Sequence, residues 1–148
     1  MSTSNILFTR MEQQRRLQAA VNKVLEDRYQ RGKKTGIELA NQWGSEKNSQ
    51  IRNLENLIYT TGRYSEIYNF IENQTGKDKA KKTWAISYEN ATLGAWLIRE
   101  LEDLAQAIDQ EVASETSEFQ YQARLEAAKG WAKQVVSSYL YASTVSGR

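Results

Sequence analysis

The sequence has 148 residues, 40% of them hydrophobic and 26% charged, which is long enough for one folded domain with a single core. It contains no cysteine and no histidine, which excludes disulfide frameworks, thiolate zinc sites, cysteine nucleophiles and histidine-based triads. The net charge is +2 but unevenly distributed. Residues 1–86 carry 15 basic and 9 acidic side chains, net +6, and residues 87–148 carry 5 and 9, net −4. This asymmetry predicts two faces with different neighbours.

The sequence shows no signal for membrane insertion or export. No stretch approaches the roughly 18 consecutive apolar residues that a membrane span needs. The opening residues, MSTSNILFTR, hold no apolar core of signal-peptide length. We therefore expect a cytoplasmic protein without membrane contact.

Apolar residues recur at helical spacing along the first half of the chain, and no proline interrupts them. The spacing predicts a helix over residues 10–30, then a loose connector bracketed by Gly32 and Gly36 and a short turn ending at Trp43. A second helix is predicted from Asn48 or Ser49 to Gly62, and a third from Tyr64 to Gly76.

The second half of the chain begins with a run of lysines, followed by Trp84. The pattern then predicts a helix from about Asn90 to Ala113 whose leucines and isoleucine form a heptad-like seam, and a last helix over residues 117–143. We expect residues 1–8 and 144–148 to be frayed. The whole chain is predicted to be a single all-α domain, residues 1–148, forming a compact bundle of about five helices.

Catalytic chemistry has little support in this sequence. One acidic pair, Glu100 and Asp103, lies one helical turn apart and has the spacing to share a proton or a divalent metal. No nucleophile and no phosphate-binding glycine loop accompanies the pair, so a solvated acidic face is the favoured interpretation. We expect no enzyme activity, no metal and no cofactor.

Basic residues provide the strongest chemical signal. They lie in the first predicted helix and its connector, at Lys47, Arg52 and Arg63, and in the lysine run Lys77, Lys79, Lys81 and Lys82. Repeated cationic donors bind phosphates along a nucleic-acid strand without reading its sequence. Trp84 beside the lysines has two interpretations, a core residue or a ring that stacks on a base.

Arg52, Asn56 and Tyr59 share one outward face of the second predicted helix, where they offer a fork donor, an amide and a ring. This set is suited to gripping a sugar-phosphate backbone. The alternative for Arg52 is an i,i+3 ion pair with Glu55, worth a few tenths of a kcal/mol.

Two stretches, NSQIRNLENLIYTT and NFIENQTGKDKAKKTW, together resemble the core pattern of the small subunit of type III CRISPR effector complexes. In that family a helix start of the form Ser/Thr-Gln-Ile/Leu-Arg-Asn/Lys-Leu precedes, by one helix, an apolar pair and a Gln-x-Gly-Arg/Lys element. Residues 49–54 match the first element. Phe70, Ile71, Gln74, Gly76 and Lys77 match the second. The resemblance covers about residues 47–84.

The resemblance implies a non-catalytic helical subunit that stacks in several copies along a crRNA-guided ribonucleoprotein active in antiviral defence. Its partners are crRNA and target RNA, contacted through the backbone, together with other effector subunits and further copies of itself. Guide pairing, rather than the protein, reads sequence in such complexes. The RNA-contact candidates are Arg52, Lys77, Lys81, Lys82, Arg63, Lys47, Arg15 and Arg16, the first two matching the motif and the others following local charge.

A second hypothesis is a helical protein–protein adaptor without nucleic-acid binding. In that case the seam from Leu93 to Ile108 docks a partner helix, and the basic segments are solvated.

Overall fold

The computed structural model describes residues 3–145, and over this range the chain forms six α-helices and one small hairpin. The helices are α1 (Thr3–Asp27), α2 (Tyr29–Trp43), α3 (Asn48–Thr60), α4 (Ser65–Lys77), α5 (Leu93–Glu111) and α6 (Ser117–Val145). A 3-10 helix, Gly44–Lys47, joins α2 to α3. The antiparallel strands β1 (Ser87–Tyr88) and β2 (Ala91–Thr92) precede α5. The predicted all-α bundle is confirmed, and none of the helices between residues 3 and 145 is long and apolar enough to cross a membrane.

Helix α6 is the centre of the bundle, because α1, α2, α3 and α5 all pack against it. Its buried positions lie on several sides of the helix rather than on one stripe, as expected for an element surrounded by neighbours. Four of the five predicted core residues of α6 are buried: Ala128, Ala132, Val135 and Tyr139. Leu125 is half-buried.

Helices α1 and α2 form almost one continuous helix that runs parallel to α6. Only Arg28 separates them, and backbone hydrogen bonds continue across it, from Arg28 N to Val24 O at 3.1 Å and from Gly32 N to Arg28 O at 3.0 Å. Arg16 lies over the ring of Phe119, and Gly36, twenty residues later, faces Ser138, nineteen residues later. The two helical segments therefore run in the same direction.

The predicted loose connector around Gly32 and Gly36 is wrong, because both glycines are buried inside α2. They are four residues apart on one face, where α2 meets α6. A Cβ atom added to Gly36 would lie 2.5 Å from the carbonyl oxygen of Val135 and 2.6 Å from the Cβ of Ser138. A glycine costs roughly 1 kcal/mol in a helix relative to alanine, and here that cost permits direct backbone-to-backbone packing.

The seam of α5 is buried as predicted, since Leu93, Leu97, Leu101, Leu104 and Ile108 are each at most 1% exposed. The seam is therefore filled by the protein's own helices, and the adaptor hypothesis loses its predicted docking surface.

The start of α5 differs from the predicted Asn90. Glu89 and Asn90 have positive φ angles of 47° and 66°, so they form the two-residue turn of the hairpin. The helix starts at Leu93, after Thr92, whose hydroxyl oxygen accepts a hydrogen bond from Ala95 N at 3.1 Å.

All four tryptophans belong to the core. Trp84 is 1% exposed, and its indole nitrogen donates a hydrogen bond to Gln50 Oε1 at 2.8 Å. Its ring meets that of Trp43 edge to face, with the centroids 5.0 Å apart. Base stacking on Trp84 is therefore excluded by burial.

The ends of the described chain are helical where we expected fraying. Helix α1 includes residues 3–8 and α6 includes residues 144 and 145; residues 1, 2 and 146–148 lie outside the described range. The first turns of α1 extend beyond the start of α6 and leave Ile6, Leu7, Phe8 and Met11 between 40% and 71% exposed.

Replacing Gly36 with alanine should lower the free energy of unfolding by about 1–3 kcal/mol, because the new methyl group has no space between α2 and α6. Urea denaturation followed by circular dichroism measures the change. Gly76→Ala is the matched control: nothing lies within 4 Å of its added Cβ, so it should be neutral or stabilising by up to about 1 kcal/mol. Equal effects of the two substitutions would contradict the close packing described above.

Candidate nucleic-acid interface

The α3–α4 hairpin brings one group of lysines to the same end of the molecule. Residues 61–64 connect the two helices and reverse the chain, so the start of α3 and the end of α4 lie side by side. We call this the lysine end. It carries Lys47, Lys77, Lys79, Lys81 and Lys82.

Asp78 organises the loop that presents these lysines. Its Oδ1 accepts a hydrogen bond from Lys82 N at 3.2 Å, and its Oδ2 accepts from Thr83 N at 2.8 Å and Ala85 N at 2.9 Å. Partial burial alone would raise the pKa of Asp78, but the three backbone N–H donors hold the pKa below its ordinary value. Residues 78–85, the lysine loop, are thus folded around one carboxylate.

Two tryptophans fix the lysine loop to the body of the protein. The indole nitrogen of Trp43 donates to Thr83 O at 3.1 Å, and Trp84 inserts into the core and bonds to Gln50 at the start of α3. Lys47 lies between Trp43 and Gln50 in the chain, so these contacts hold it next to the lysine loop.

The lysines of this end are available to a ligand. Lys77, Lys79, Lys81 and Lys82 are exposed, and Lys47 is half-buried. Within residues 3–145, none of the five lies within ion-pair distance of a carboxylate. Five cationic groups without internal counter-ions form an anion-attracting surface.

Arg52 lies close to the lysine end, five residues or about 7.5 Å of helix axis beyond Lys47. The predicted outward stripe is confirmed, because Arg52, Asn56 and Tyr59 are all exposed. Arg52 Nη1 also forms the i,i+3 ion pair with Glu55 Oε1, at 3.0 Å. An exposed pair of this kind is weak enough to be exchanged for a phosphate.

Arg15, Arg16 and Arg63 are not part of this surface. Arg16 pairs with Glu115 at 3.0 Å and Arg63 with Glu66 at 3.1 Å, while Arg15 pairs with Glu12. Arg16 and Arg63 both lie beside the first turns of α6. We call this region, beside the first turns of α6, the arginine end. Helices α3 and α4, each of 13 residues or about 20 Å, separate Arg63 from the lysine end. The structure therefore brings together five of the eight predicted contact residues: Lys47, Arg52, Lys77, Lys81 and Lys82.

The acidic residues of α5 and the following loop face the basic residues of the same chain. Arg31 binds both Glu100 and Asp103, Lys23 binds Glu111 at 2.9 Å, and Arg124 binds Asp109 through two bonds of 2.7 Å. The sequence predicts that the acidic residues of 87–148 face a different neighbour from the basic residues of 1–86. In the structure, many of these acidic residues instead pair with the basic residues of the same chain. Internal pairing therefore engages Arg15, Arg16, Lys23 and Arg31 of α1 and α2, whereas none of the five lysines of the lysine end is paired within residues 3–145.

The guanidinium of Arg31 forms ion pairs with both Glu100 and Asp103. These ion pairs disfavour the sharing of a proton or a metal ion between the two carboxylates. Over residues 3–145 no group of three or more histidine, cysteine, aspartate or glutamate side chains is arranged to hold a metal ion.

Two residues of this surface were absent from the predicted contact set. Lys79 belongs to the lysine run but was not selected. Asp78 was overlooked because an acidic residue argues against anion binding when charge alone is counted. Its position just before a polar, lysine-rich stretch is typical of an aspartate that organises a turn.

Comparison with known proteins adds no relative: no family model matches the sequence, and neither the curated proteins nor the solved structures contain a match.

Asp78→Ala should release the lysine loop, because three backbone N–H groups lose their acceptor at a cost of about 1–3 kcal/mol. Hydrogen exchange of the peptide covering residues 78–86 should become about tenfold faster or more, while exchange in α5 stays unchanged. Glu72→Ala, which removes an exposed acid of α4, is the control and should leave the loop protected. An unaltered exchange rate in Asp78→Ala would mean that the carboxylate does not hold the loop.

The same contact predicts a pH dependence. Because the folded-state pKa of Asp78 lies below its unfolded value, the stabilisation is fully present above about pH 3.9 and is lost as the pH falls through the folded-state pKa. The amide resonances of Thr83 and Ala85, followed by NMR from pH 6 to pH 2.5, should therefore titrate with a midpoint below about 3.9. A midpoint at or above that value would refute the depressed pKa, and Asp78→Asn should abolish the titration.

Proposed function

We propose that this protein is a non-catalytic RNA-binding small subunit of a type III CRISPR ribonucleoprotein effector complex. In this proposal the lysine end and Arg52 contact the backbone of the crRNA–target duplex, and the protein contributes to antiviral defence as one of several copies beside other effector subunits. The observation that carries the proposal is the lysine loop. Its lysines have no ion-pair partner within residues 3–145, and the Asp78 carboxylate holds the backbone of Lys82, Thr83 and Ala85.

The chemistry of this surface suits a phosphate backbone rather than base edges. Lysine ammonium groups act as point charges and contact phosphates without directional discrimination. Arg52 adds a fork donor beside them, with Asn56 and Tyr59 on the same exposed face. Such a surface binds any RNA sequence, which fits a complex in which guide pairing provides the specificity.

The motif and the geometry both support Arg52 and Lys77, and the position of Lys47, Lys81 and Lys82 beside them adds the other three. Ser49 to Leu54 and Gln74 to Lys77 are the two stretches that resemble the type III small subunit, and the α3–α4 hairpin places them at one end. Gln50 of the first stretch bonds to Trp84, which follows the lysine run. The proposed RNA contacts are accordingly Lys47, Arg52, Lys77, Lys81 and Lys82. Arg15, Arg16 and Arg63 lie away from this surface and are left out of the proposed contact.

One observation favours the adaptor as a second candidate function. Ile6, Leu7, Phe8 and Met11 are exposed on the first turns of α1, where α1 extends past its neighbours. A helical end that buries no apolar surface gains little stability on its own, so a protein partner is a chemically reasonable cover for it.

Replacing Lys77, Lys81 and Lys82 together with glutamine should weaken binding to a generic RNA duplex by about tenfold or more in low salt. It should also lower the slope of log K against log salt by about 2 to 3, since each lost phosphate contact contributes about 0.7 to 0.9. Fluorescence anisotropy over a salt series measures both quantities. Arg52→Ala should weaken binding to a smaller extent.

The matched control is the triple substitution of Arg15, Arg16 and Arg63 with glutamine, which removes equal charge from the opposite end. Asp78→Ala separates surface order from net charge: it removes a negative charge, so electrostatics alone predicts tighter binding, whereas an ordered loop predicts weaker binding. RNA binding that is absent at low salt, or equally reduced by both triple variants, would contradict the proposed surface. Absence of RNA binding together with loss of a protein partner on Phe8→Glu substitution would favour the adaptor.

A further inference from the structure

A long groove runs along α6 where this helix meets α1 and α2. It consists of two adjoining cavities of about 840 Å³ and about 510 Å³ that share Tyr29, Ser137 and Ser138 in their lining. The contacts at the lysine end use neither cavity, and no residue of the groove belongs to the predicted contact set.

The groove results from the close packing of α2 against α6. Because Gly36 brings the two helix backbones almost into contact, the longer side chains beside the contact line stand apart as walls. On α6 the lining residues recur every three or four positions from Gly130 to Val145, a span of about 22 Å. At the 3.4 Å spacing of stacked bases this length accommodates about six nucleotides.

Two tyrosines stand open along this groove. Tyr29 is 47% exposed and Tyr141 is 71% exposed, although burying a tyrosine ring removes a large apolar area from water. Tyr29 lies at the start of α2 and Tyr141 near the end of α6, so one ring lies towards each end of the smaller cavity. Open aromatic faces spaced along a groove are the platforms on which single-stranded bases stack.

The charged residues of the groove are mainly basic. Lys33 and Lys133 have no carboxylate within ion-pair distance among residues 3–145, whereas Lys23 pairs with Glu111. Glu26 is the single acidic residue in the lining of the two cavities. The rest of the wall is mixed: Asn22, Asn41, Gln134, Ser137 and Ser138 are polar, and Ala19, Leu25, Ile37, Ala142 and Val145 are apolar.

We propose that this groove is a second nucleic-acid site, one that takes an unpaired strand, with bases stacked on Tyr29 and Tyr141 and phosphates bound by Lys33 and Lys133. Charge favours this occupant over an acidic or neutral protein helix, because Lys33 and Lys133, which have no ion-pair partner among residues 3–145, both lie between the two rings along the groove. The site differs from the duplex contact at the lysine end in its position, in its aromatic content and in the form of nucleic acid that it binds.

The test is the binding of a fluorescent eight-nucleotide oligouridine to the full chain in low salt. Combined Tyr29→Ala and Tyr141→Ala substitution should weaken binding at least about fivefold, as expected for the loss of base stacking. Combined Lys33→Gln and Lys133→Gln substitution should weaken it and also lower the salt dependence. Thermal unfolding confirms that each variant remains folded.

Matched controls are available in the same chain. Tyr121, 59% exposed beside the arginine end, should be replaceable by alanine without effect. Lys34→Gln with Lys129→Gln removes equal charge from α2 and α6 at positions outside the groove lining, and should leave oligouridine binding unchanged. As a second readout, photo-cross-linking with 4-thiouridine should label the peptides that contain Tyr29 or Tyr141.

The outcomes separate this proposal from the duplex contact. Loss of oligouridine binding in the groove variants with duplex binding retained supports a second site. Unchanged binding in the groove variants, or cross-links confined to the lysine loop, overturns it and leaves the duplex contact standing. If the chain binds neither RNA form, both proposals fail. If the groove variants instead abolish binding of a protein helix while oligouridine does not bind, the groove is a protein-docking surface.

Discussion

The contact between α2 and α6 is the constraint on which most of this structure depends. Gly36 lets the two backbones approach until a single added methyl group would collide with Val135 and Ser138, and Gly32 leaves room for the side chain of Gln134. This contact fixes the parallel alignment of α6 with the continuous α1–α2 helix. It also places the end of α2, with Trp43, beside Tyr139, whose hydroxyl binds Gly44 O. The core tryptophans, the anchoring of Thr83 and the groove along α6 all follow from that alignment.

Ion pairs within the chain cancel part of its charge and determine where uncancelled charge remains. The bundle uses the basic residues of α1 and α2 to face the acidic residues of α5 and its following loop, in pairs that are 69 to 99 residues apart in the chain. These exposed pairs contribute little to stability individually. Their larger effect is on the surface potential, because they cancel charge around the middle of the molecule. Among residues 3–145, the lysines without an ion pair include the five of the lysine end and Lys33 and Lys133 of the groove.

The sequence predicts the helices and the seam of α5 well, because amphipathic spacing is a property of each segment alone. Leu93 to Ile108 need only their own register to be identified. Gly32 and Gly36 could not be interpreted in the same way. Glycine is a local signal for a break, and only the small residues of the facing helix make it a packing residue. The same limit applies to Trp84, whose burial depends on Trp43 and Gln50.

The candidate site was predictable to the extent that local sequence determines it. The α3–α4 hairpin and the exposed stripe of Arg52, Asn56 and Tyr59 follow from helical periodicity and a short connection. The exclusion of Arg16 and Arg63 did not follow, because their charge partners and their position beside α6 depend on tertiary packing. The role of Asp78 is not predicted by its charge, because it orders the lysine loop through three hydrogen bonds to the backbone.

The carboxylate of Asp78 has a consequence for the kinetics of recognition. A flexible run of lysines loses side-chain and backbone entropy each time it binds a polyanion, and this loss is subtracted from the affinity. In this protein the backbone of residues 82, 83 and 85 is ordered when the chain folds, and Trp43 and Trp84 secure it on either side of Thr83. Under the proposed function, association would need no loop rearrangement, so its rate should be set by diffusion and ionic strength. The order of the lysine loop is thus a property of the folded chain and does not have to be formed during an encounter with a polyanion.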